Sequence, residues 1–127
     1  MDFNKYVFVD YECFQYIDVD IIDEKTKMIL IVDEKQKIIP IEFIKITQSF
    51  GNSIEWLQTK KSKKSLYYFI VYFLGYFISS QKDKEFIIYS DNVEYDPLIE
   101  YLQNKNIDVK IENIKNYKAH EPVRFFV

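Results

Sequence analysis

The chain has few of the residues that close disulfides, build phosphate loops or read base sequence. Its one cysteine, Cys13, excludes an internal disulfide and a cysteine-based zinc cluster, and fits a reducing cytoplasm. Only two glycines and three prolines are present, which argues against a glycine-rich phosphate loop and against a loop-rich fold. Arg124 is the one arginine, and bidentate reading of guanine usually needs arginine, so sequence-specific binding of DNA is not expected.

Charge and hydrophobicity limit the binding partners and the number of domains that the chain can have. The net charge of −3 gives no overall attraction for nucleic acid, so any such binding depends on a local basic patch. A hydrophobic fraction of 48% over 127 residues is enough for one domain with one core. The longest apolar run, residues 66–78, is shorter than the roughly 20 residues that cross a membrane. The amino terminus also has no signal pattern. We therefore expect a cytoplasmic domain with no membrane partner.

Short β-branched runs alternate with longer helical runs, a pattern typical of a parallel sheet with crossover helices. Strands are predicted at residues 5–9, 28–32, 54–58, 85–89 and 108–111, and helices at 40–50, 65–80 and from 96 onward. This order predicts a three-layer α/β/α domain with a mostly parallel sheet of about five strands. The predicted domain covers residues 1–112, and residues 113–127 form a C-terminal tail.

The three helices differ in their predicted apolar faces. The first should turn Ile41, Ile44 and Ile46 inward, and the third should bury its apolar residues Leu98, Ile99 and Leu102. The middle helix is apolar on every side between residues 66 and 78, which is more than one sheet face can bury. We therefore expect part of this aromatic helix to form a homodimer contact.

Two polar turns follow the first and fourth predicted strands. One turn begins at Asp10, and the other runs over residues 90–96. Ligands of open parallel sheets bind beyond the carboxyl ends of the strands where the strand order reverses, so the turns meet if their strands are neighbours. Carboxylates crowded in this way need a divalent cation or protons. Oxygen ligands suit Mg²⁺ or Mn²⁺, which activate water and neutralise phosphate.

Residues 6–12 and 87–102 resemble two segments of the PIN-like domains, in the branch related to NYN nucleases. The first resembles the opening strand with its acidic turn. The second resembles the fourth-strand signature, in which a Ser and an Asp precede an aromatic residue and Asp-Pro-Leu-Ile. Residues 36–43 and 74–75 fall at matching places, so the resemblance covers residues 5–107. It implies a metal-dependent ribonuclease with several acidic positions around one cleft.

The resemblance also implies which acidic positions are kept. Asp10 and Asp96 match carboxylates of the family, whereas Tyr67 stands at the position of a helix Asp and Asn92 at the first Asp of the turn. The implied ligands of a weakly bound Mg or Mn ion are Asp10, Asp96 and the carbonyl of Asn92. Glu12 is a neighbouring carboxylate that could assist them.

This depleted set favours a non-catalytic PIN-like domain that binds RNA or a protein partner. The small size of the chain and its bias to Lys, Ile, Asn and Tyr suit a toxin–antitoxin, phage-defence or anti-defence setting. The alternative is a Mg/Mn-dependent single-stranded endoribonuclease with Asp10, Asp96 and Glu12 as its catalytic residues. A third alternative is a structural subunit of a larger assembly. Asp10 as a turn residue and Asp96 as a helix cap before Pro97 also have purely structural explanations.

Lys60, Lys61, Lys63 and Lys64 form the densest group of positive charge. They precede a predicted helix, whose free N–H groups also favour anions. The basic loop, residues 60–64, is therefore predicted to bind nucleic acid through phosphate, independently of sequence. A solvated loop without a ligand is the alternative.

Overall fold

A computed structural model describes residues 3–11, 22–60 and 65–113, with only the backbone at Ser65. Its five strands are β1 (Lys5–Asp10), β2 (Thr26–Asp33), β3 (Ile54–Thr59), β4 (Glu85–Tyr89) and β5 (Asp108–Glu112). They form one sheet in the order β3-β2-β1-β4-β5, and every pairing is parallel. The predicted α/β class is confirmed, with β1 at the centre of the sheet.

The helices cover both faces of this sheet. Successive side chains of a strand point to opposite faces, so Val7 and Val9 enter one core while Tyr6 and Phe8 enter the other. The first core is covered by α1 (Ile41–Ser49), and the second by α2 (Ser65–Gln81) and α3 (Asp96–Asn104). A strand buried on both faces is apolar throughout, as expected at the centre of a parallel sheet. The three-layer architecture is confirmed.

The predicted inward face of α1 is wrong. Ile41 is 61% exposed, and the helix buries Phe43 and Thr47 instead. The Phe43 ring packs edge-on against Tyr11, with 5.3 Å between ring centroids, and also lies against Trp56. The large aromatic contact therefore decides which side of this short helix faces the sheet. Pro40 is the N-cap residue, so the helix begins one residue later than predicted.

The second helix buries one line of residues and exposes another. Leu66, Ile70 and Leu74 recur every four residues and are buried on the sheet, as one face of a helix requires. Tyr68, Tyr72 and Tyr76 recur with the same spacing and are 61%, 62% and 57% exposed. These three residues are called the tyrosine ridge below. In the described ranges, no helix has the length and hydrophobicity needed to cross a membrane.

The third helix follows a single 3₁₀ turn, Val93–Tyr95, at the end of β4. Ile99 is buried and Leu98 and Leu102 pack partly against the same core, as predicted. Pro97 lies in the first turn of the helix, where its missing N–H has no intrahelical partner to lose. The polar turn predicted over residues 90–96 is called the strand-four turn below. It lies between β4 and a well-packed helix.

Candidate functional site

The two predicted polar turns lie side by side. The last paired residues of β1 and β4 are Val9 and Tyr89, so the chain continues directly into Asp10 and Ser90 on neighbouring strands. Both side chains are buried, with exposures of 5% and 1%. The Ser90 hydroxyl donates a hydrogen bond of 3.2 Å to Oδ2 of Asp10. Strand order reverses between β1 and β4, so this pair lies where parallel sheets place their ligands.

Ser90 also anchors the turn that follows β4. Its hydroxyl oxygen accepts a hydrogen bond of 3.1 Å from the backbone N–H of Asn92. The side-chain oxygen of Asn92 accepts from the N–H of Glu94 at 2.9 Å, and its amide donates to the Glu94 carboxylate at 3.4 Å. Asn92 therefore caps the 3₁₀ turn and has both of its polar side-chain atoms in use.

An aromatic pair borders this turn from the side of α2. The Tyr67 hydroxyl donates a hydrogen bond of 3.4 Å to the backbone carbonyl of Glu94. Its ring centroid lies 4.9 Å from that of Tyr95, which is fully buried. Tyr67 thus contacts the strand-four turn at the position where the resemblance implies an Asp.

A separate aromatic cluster supports the turn after β1. Tyr11 is 1% exposed, packs edge-on against Phe43 and Trp56, and donates its backbone N–H to the carbonyl of Ile31 at 3.1 Å. Burial raises the pKa of the Tyr11 hydroxyl above its ordinary value. These contacts fix the backbone immediately after Asp10, the residue whose carboxylate accepts the hydrogen bond from Ser90.

Asp96 lies at the first residue of α3 and is exposed. It lines an open cavity of about 440 Å³ with Pro97, Ile99, Glu100 and Gln103. The expected role of Asp96 as helix cap is not seen, because Tyr95 is at the N-cap and makes no side-chain capping bond.

The acidic and amide side chains that the structure describes do not form a cation-binding site with three or more ligands. Within residues 3–11, 22–60 and 65–113, no group of three or more His, Cys, Asp or Glu side chains is close enough to hold a metal. Asp10 accepts from Ser90, and the Asn92 carbonyl accepts from the turn. Glu12 lies outside the described residues. The metal-binding and catalytic roles of Asp10, Asp96, Asn92 and Glu12 stay predictions.

The start of the basic loop lies at the same edge of the sheet. Lys60 follows β3 directly and is exposed, whereas Lys61, Lys63 and Lys64 lie outside the described residues. The buried hydroxyl of Thr59 donates to the Val32 carbonyl at 3.5 Å and so ties the end of β3 to β2. Lys60 is therefore presented at the carboxyl edge that also holds Asp10.

Sequence reasoning missed two contacts of this site. In the sequence, Ser90 is only one residue of the fourth-strand signature. In the structure its hydroxyl links Asp10 to Asn92 through two hydrogen bonds. The bond from Tyr67 to Glu94 joins residues that are 27 positions apart, and no local pattern signals it. The conspicuous signal for Ser90 was its place directly after a buried strand.

An all-parallel sheet of this order, with a buried carboxylate where the order reverses, defines an α/β domain with a polar site at the strand ends. The model of the PIN domain family matches residues 4–112, and the chain belongs to that family. Searches among curated proteins and among solved structures gave no match. The resemblance inferred from the two motifs is thereby confirmed.

Proposed function

We propose that this PIN domain is non-catalytic and binds single-stranded RNA. The observation that carries the proposal is Tyr67, which borders the strand-four turn where the family resemblance implies an Asp. Metal-assisted cleavage needs an ion with bound water, held and oriented by carboxylates. A neutral ring whose hydroxyl already donates to a backbone carbonyl supplies no such ligand.

The same replacements favour retention of RNA. Each carboxylate that is lost removes one negative charge that would repel a phosphate group when no cation is present. Asn92 is neutral, Tyr67 is neutral, and the Asp10 carboxylate is buried with a hydrogen bond from Ser90. The exposed ammonium group of Lys60 lies at the same edge of the sheet. Phosphate therefore meets less repulsion here than at a fully acidic cleft.

The proposal predicts RNA binding without cleavage. The wild type and Asp10→Asn should bind a short single-stranded RNA with equal affinity, in Mn²⁺ and in chelator alike. Both should leave the RNA intact over hours. Fluorescence anisotropy measures the affinity, and gel electrophoresis of the same samples measures cleavage. Replacing the buried Asp10 by Asn keeps the size of the side chain, so a thermal melt of each protein serves as the folding control.

Two results would change the assignment. Cleavage that chelator abolishes and that Asp10→Asn loses would establish the endoribonuclease instead. Absence of both cleavage and RNA binding in the wild type would favour a protein partner. In that case the basic loop would be a solvated surface or a contact with that partner.

We also propose that the tyrosine ridge forms a homodimer contact with a second copy of the chain. None of the 17 residues of α2 is charged, so the helix offers no opposite charge to a charged partner. A two-fold contact pairs identical faces and is self-complementary. At 150–250 Å² per aromatic side chain, the ridge offers roughly 350 Å² of exposed area. A standard interface buries about 800 Å² per partner, so the dimer should be weak.

Light scattering over a range of concentrations tests this contact. The wild type should move from monomer towards dimer as concentration rises, and Tyr72→Ser/Tyr76→Ser should stay monomeric. Tyr101→Ser is the matched control, because Tyr101 is 59% exposed but lies on α3. A wild type that stays monomeric at every concentration would remove the dimer from the proposal.

A further inference from the structure

The two outer strands of the sheet differ in how their free edges are used. At one end of the strand order, the Glu112 carbonyl of β5 accepts from the Ser90 N–H, so Val109, an odd number of residues away, directs its backbone outward. The Gln103 amide donates to the Val109 carbonyl at 2.8 Å, and the Val109 N–H donates to the Ile107 carbonyl at 3.0 Å. These bonds, together with the alternating charged residues of β5, keep a strand edge from pairing.

The edge of β3, at the other end of the strand order, is open at Trp56 and Gln58. The Ile31 carbonyl of β2 accepts from the Tyr11 N–H, so the adjacent residue Leu30 directs its backbone towards β3. Leu30 is paired with Trp56, and in a parallel pair a residue bonds to the two neighbours of its partner. Trp56 and Gln58 therefore direct their backbone groups away from the sheet, and no described residue bonds to those groups.

One side of α2 runs beside this open edge. The helix lies over β2 and β3, and Phe69 lines a cavity of about 310 Å³ together with Gln58 of β3. With 3.6 residues in each helical turn, Phe73 and Tyr76 lie on the same side of α2 as Phe69. Tyr67 lies on the opposite side, where it contacts the strand-four turn. The side of α2 nearer β3 is therefore aromatic.

This aromatic flank is defined as Phe69, Tyr72, Phe73 and Tyr76. Phe73 is in ring contact with both Phe69 and Tyr72, at centroid distances of 6.4 and 5.1 Å. Tyr72 in turn stacks on Tyr76 at 6.3 Å. Tyr72 and Tyr76 also belong to the tyrosine ridge, so the flank continues the ridge down towards β3.

We propose that two copies of the chain pair their β3 edges as antiparallel strands, so that one sheet continues through the homodimer. The inference rests on the homodimer proposed above and names the remainder of its contact. A two-fold axis at Leu57 places Trp56 of one copy opposite Gln58 of the other. Each such pair exchanges both of its backbone hydrogen bonds. Leu57 meets its own counterpart on the face that α2 covers.

The same axis brings the two aromatic flanks together. Neighbouring strands are about 4.8 Å apart, so a helix above β2 and β3 lies roughly 5 Å from an axis midway between the two β3 strands. Two such helices are roughly 10 Å apart, a distance at which helices pack. The ridge alone offers less area than a standard interface, and the paired edges and flanks supply the rest.

No like charges meet in this arrangement. Glu55 is the one charged residue of β3, and the axis places it opposite Thr59 of the second copy. Its carboxylate already forms an ion pair of 3.0 Å with Lys27. Antiparallel pairing also turns the carboxyl edges of the two sheets in opposite directions. The two Asp10–Ser90 pairs then stay apart, so RNA binding and dimer formation should be independent.

The first test removes the outward N–H of Gln58. Gln58→Pro deletes this donor and sets a ring against the second strand, at an edge position where proline is tolerated. The dissociation constant of the dimer should rise by at least about tenfold, since both copies lose a hydrogen bond. Gln58→Ala is the matched control, because it keeps the N–H and should leave the dimer nearly unchanged. Analytical ultracentrifugation measures the constant, and a thermal melt checks the fold.

Amide hydrogen exchange of the wild type gives a second readout without a substitution. The N–H groups of Trp56 and Gln58 should exchange quickly in dilute protein and become protected at concentrations where the dimer forms. Those of Glu55 and Leu57 point towards β2 and should be protected at every concentration. A dimer held by its helices alone would leave this alternation unchanged.

The outcomes separate this inference from the proposed homodimer. A dimer that survives Gln58→Pro, with rapid exchange at Trp56 and Gln58 at every concentration, overturns the strand pairing and leaves the ridge contact in place. A wild type that stays monomeric overturns both and leaves the β3 edge to an extended segment of another protein. If Gln58→Pro does not fold, hydrogen exchange of the wild type decides.

Discussion

Replacing Lys60, Lys61, Lys63 and Lys64 by alanine should greatly weaken binding of single-stranded RNA and flatten its salt dependence. Each lysine–phosphate contact releases counterions, which contributes about 0.7 to the slope of log affinity against log salt for a single strand. If all four lysines contact phosphate, the slope should therefore become shallower by up to about 3. The loss of affinity should be roughly tenfold to a hundredfold at low salt and should shrink as salt is added. Anisotropy titrations at several salt concentrations measure both quantities.

The control variant makes the same change of net charge at the opposite edge of the sheet, where the strands begin. Lys25, Lys82, Lys84 and Lys105 all precede strands, at the amino edge. Changing these four to alanine lowers the net charge equally but should leave most of the salt slope in place. Equal losses in both variants would mean that only net charge matters. No loss in the first variant would leave the basic loop a solvated surface.

The variant Tyr67→Asp/Asn92→Asp should gain Mn²⁺ binding and chelator-sensitive cleavage of single-stranded RNA. It returns two carboxylates to the positions where the family resemblance implies them, one within the strand-four turn and one bordering that turn. Mg²⁺ and Mn²⁺ prefer such oxygen donors, and a bound ion then supplies the water for hydrolysis. Losing the contact between the Tyr67 and Tyr95 rings should lower the free energy of unfolding by about 1–3 kcal/mol.

Tyr67→Asn is the control for that variant. It removes the same ring and the same hydrogen bond to Glu94 but adds no carboxylate. It should be destabilised to a similar extent and should gain neither metal binding nor cleavage. Calorimetric titration with Mn²⁺ and a gel assay of RNA read out the two properties. A wild type that already binds Mn²⁺ as tightly as the double variant would contradict the role assigned to Tyr67.

The sheet was the most predictable part of the molecule. A central parallel strand is buried on both faces, so its residues form a continuous apolar run that ends at a polar residue. For this reason β1 and β4 were located to within one residue by Lys5–Val9 and Glu85–Tyr89. Because ligands of parallel sheets bind where strand order reverses, Asp10 and residues 90–96 were also predictable as the polar turns that meet there.

The first helix shows where local pattern fails. Its apolar residues lie on more than one side, so periodicity alone does not choose the buried face. Phe43 is the buried residue because its ring packs against Tyr11, in the turn after β1, and against Trp56 in β3. Local pattern also cannot predict the hydrogen bond of Tyr67, because its partner Glu94 lies 27 positions later in the chain, after β4.

The site itself was predicted in outline. Parallel topology predicts that Asp10 lies next to the strand-four turn, as the bond from Ser90 shows. The role of Asn92 as a cap could not be predicted, because it depends on the distance between its side chain and the Glu94 N–H. Glu12, most of the basic loop and residues 114–127 lie outside the described residues, so their roles stay predictions. The toxin–antitoxin, phage-defence or anti-defence setting also stays a prediction, because it came from the size and composition of the chain and not from any contact in the fold.

Addition of Mn²⁺ to the wild-type protein, followed by NMR, tests the non-catalytic assignment most directly. A bound paramagnetic ion broadens the amide signals of the residues around it. We expect no selective broadening at Asp10, Ser90 or Asn92 at Mn²⁺ concentrations that broaden these signals in Tyr67→Asp/Asn92→Asp. Selective loss of these three signals in the wild type, reversed by chelator, would show that the cleft holds a cation and would contradict the proposal.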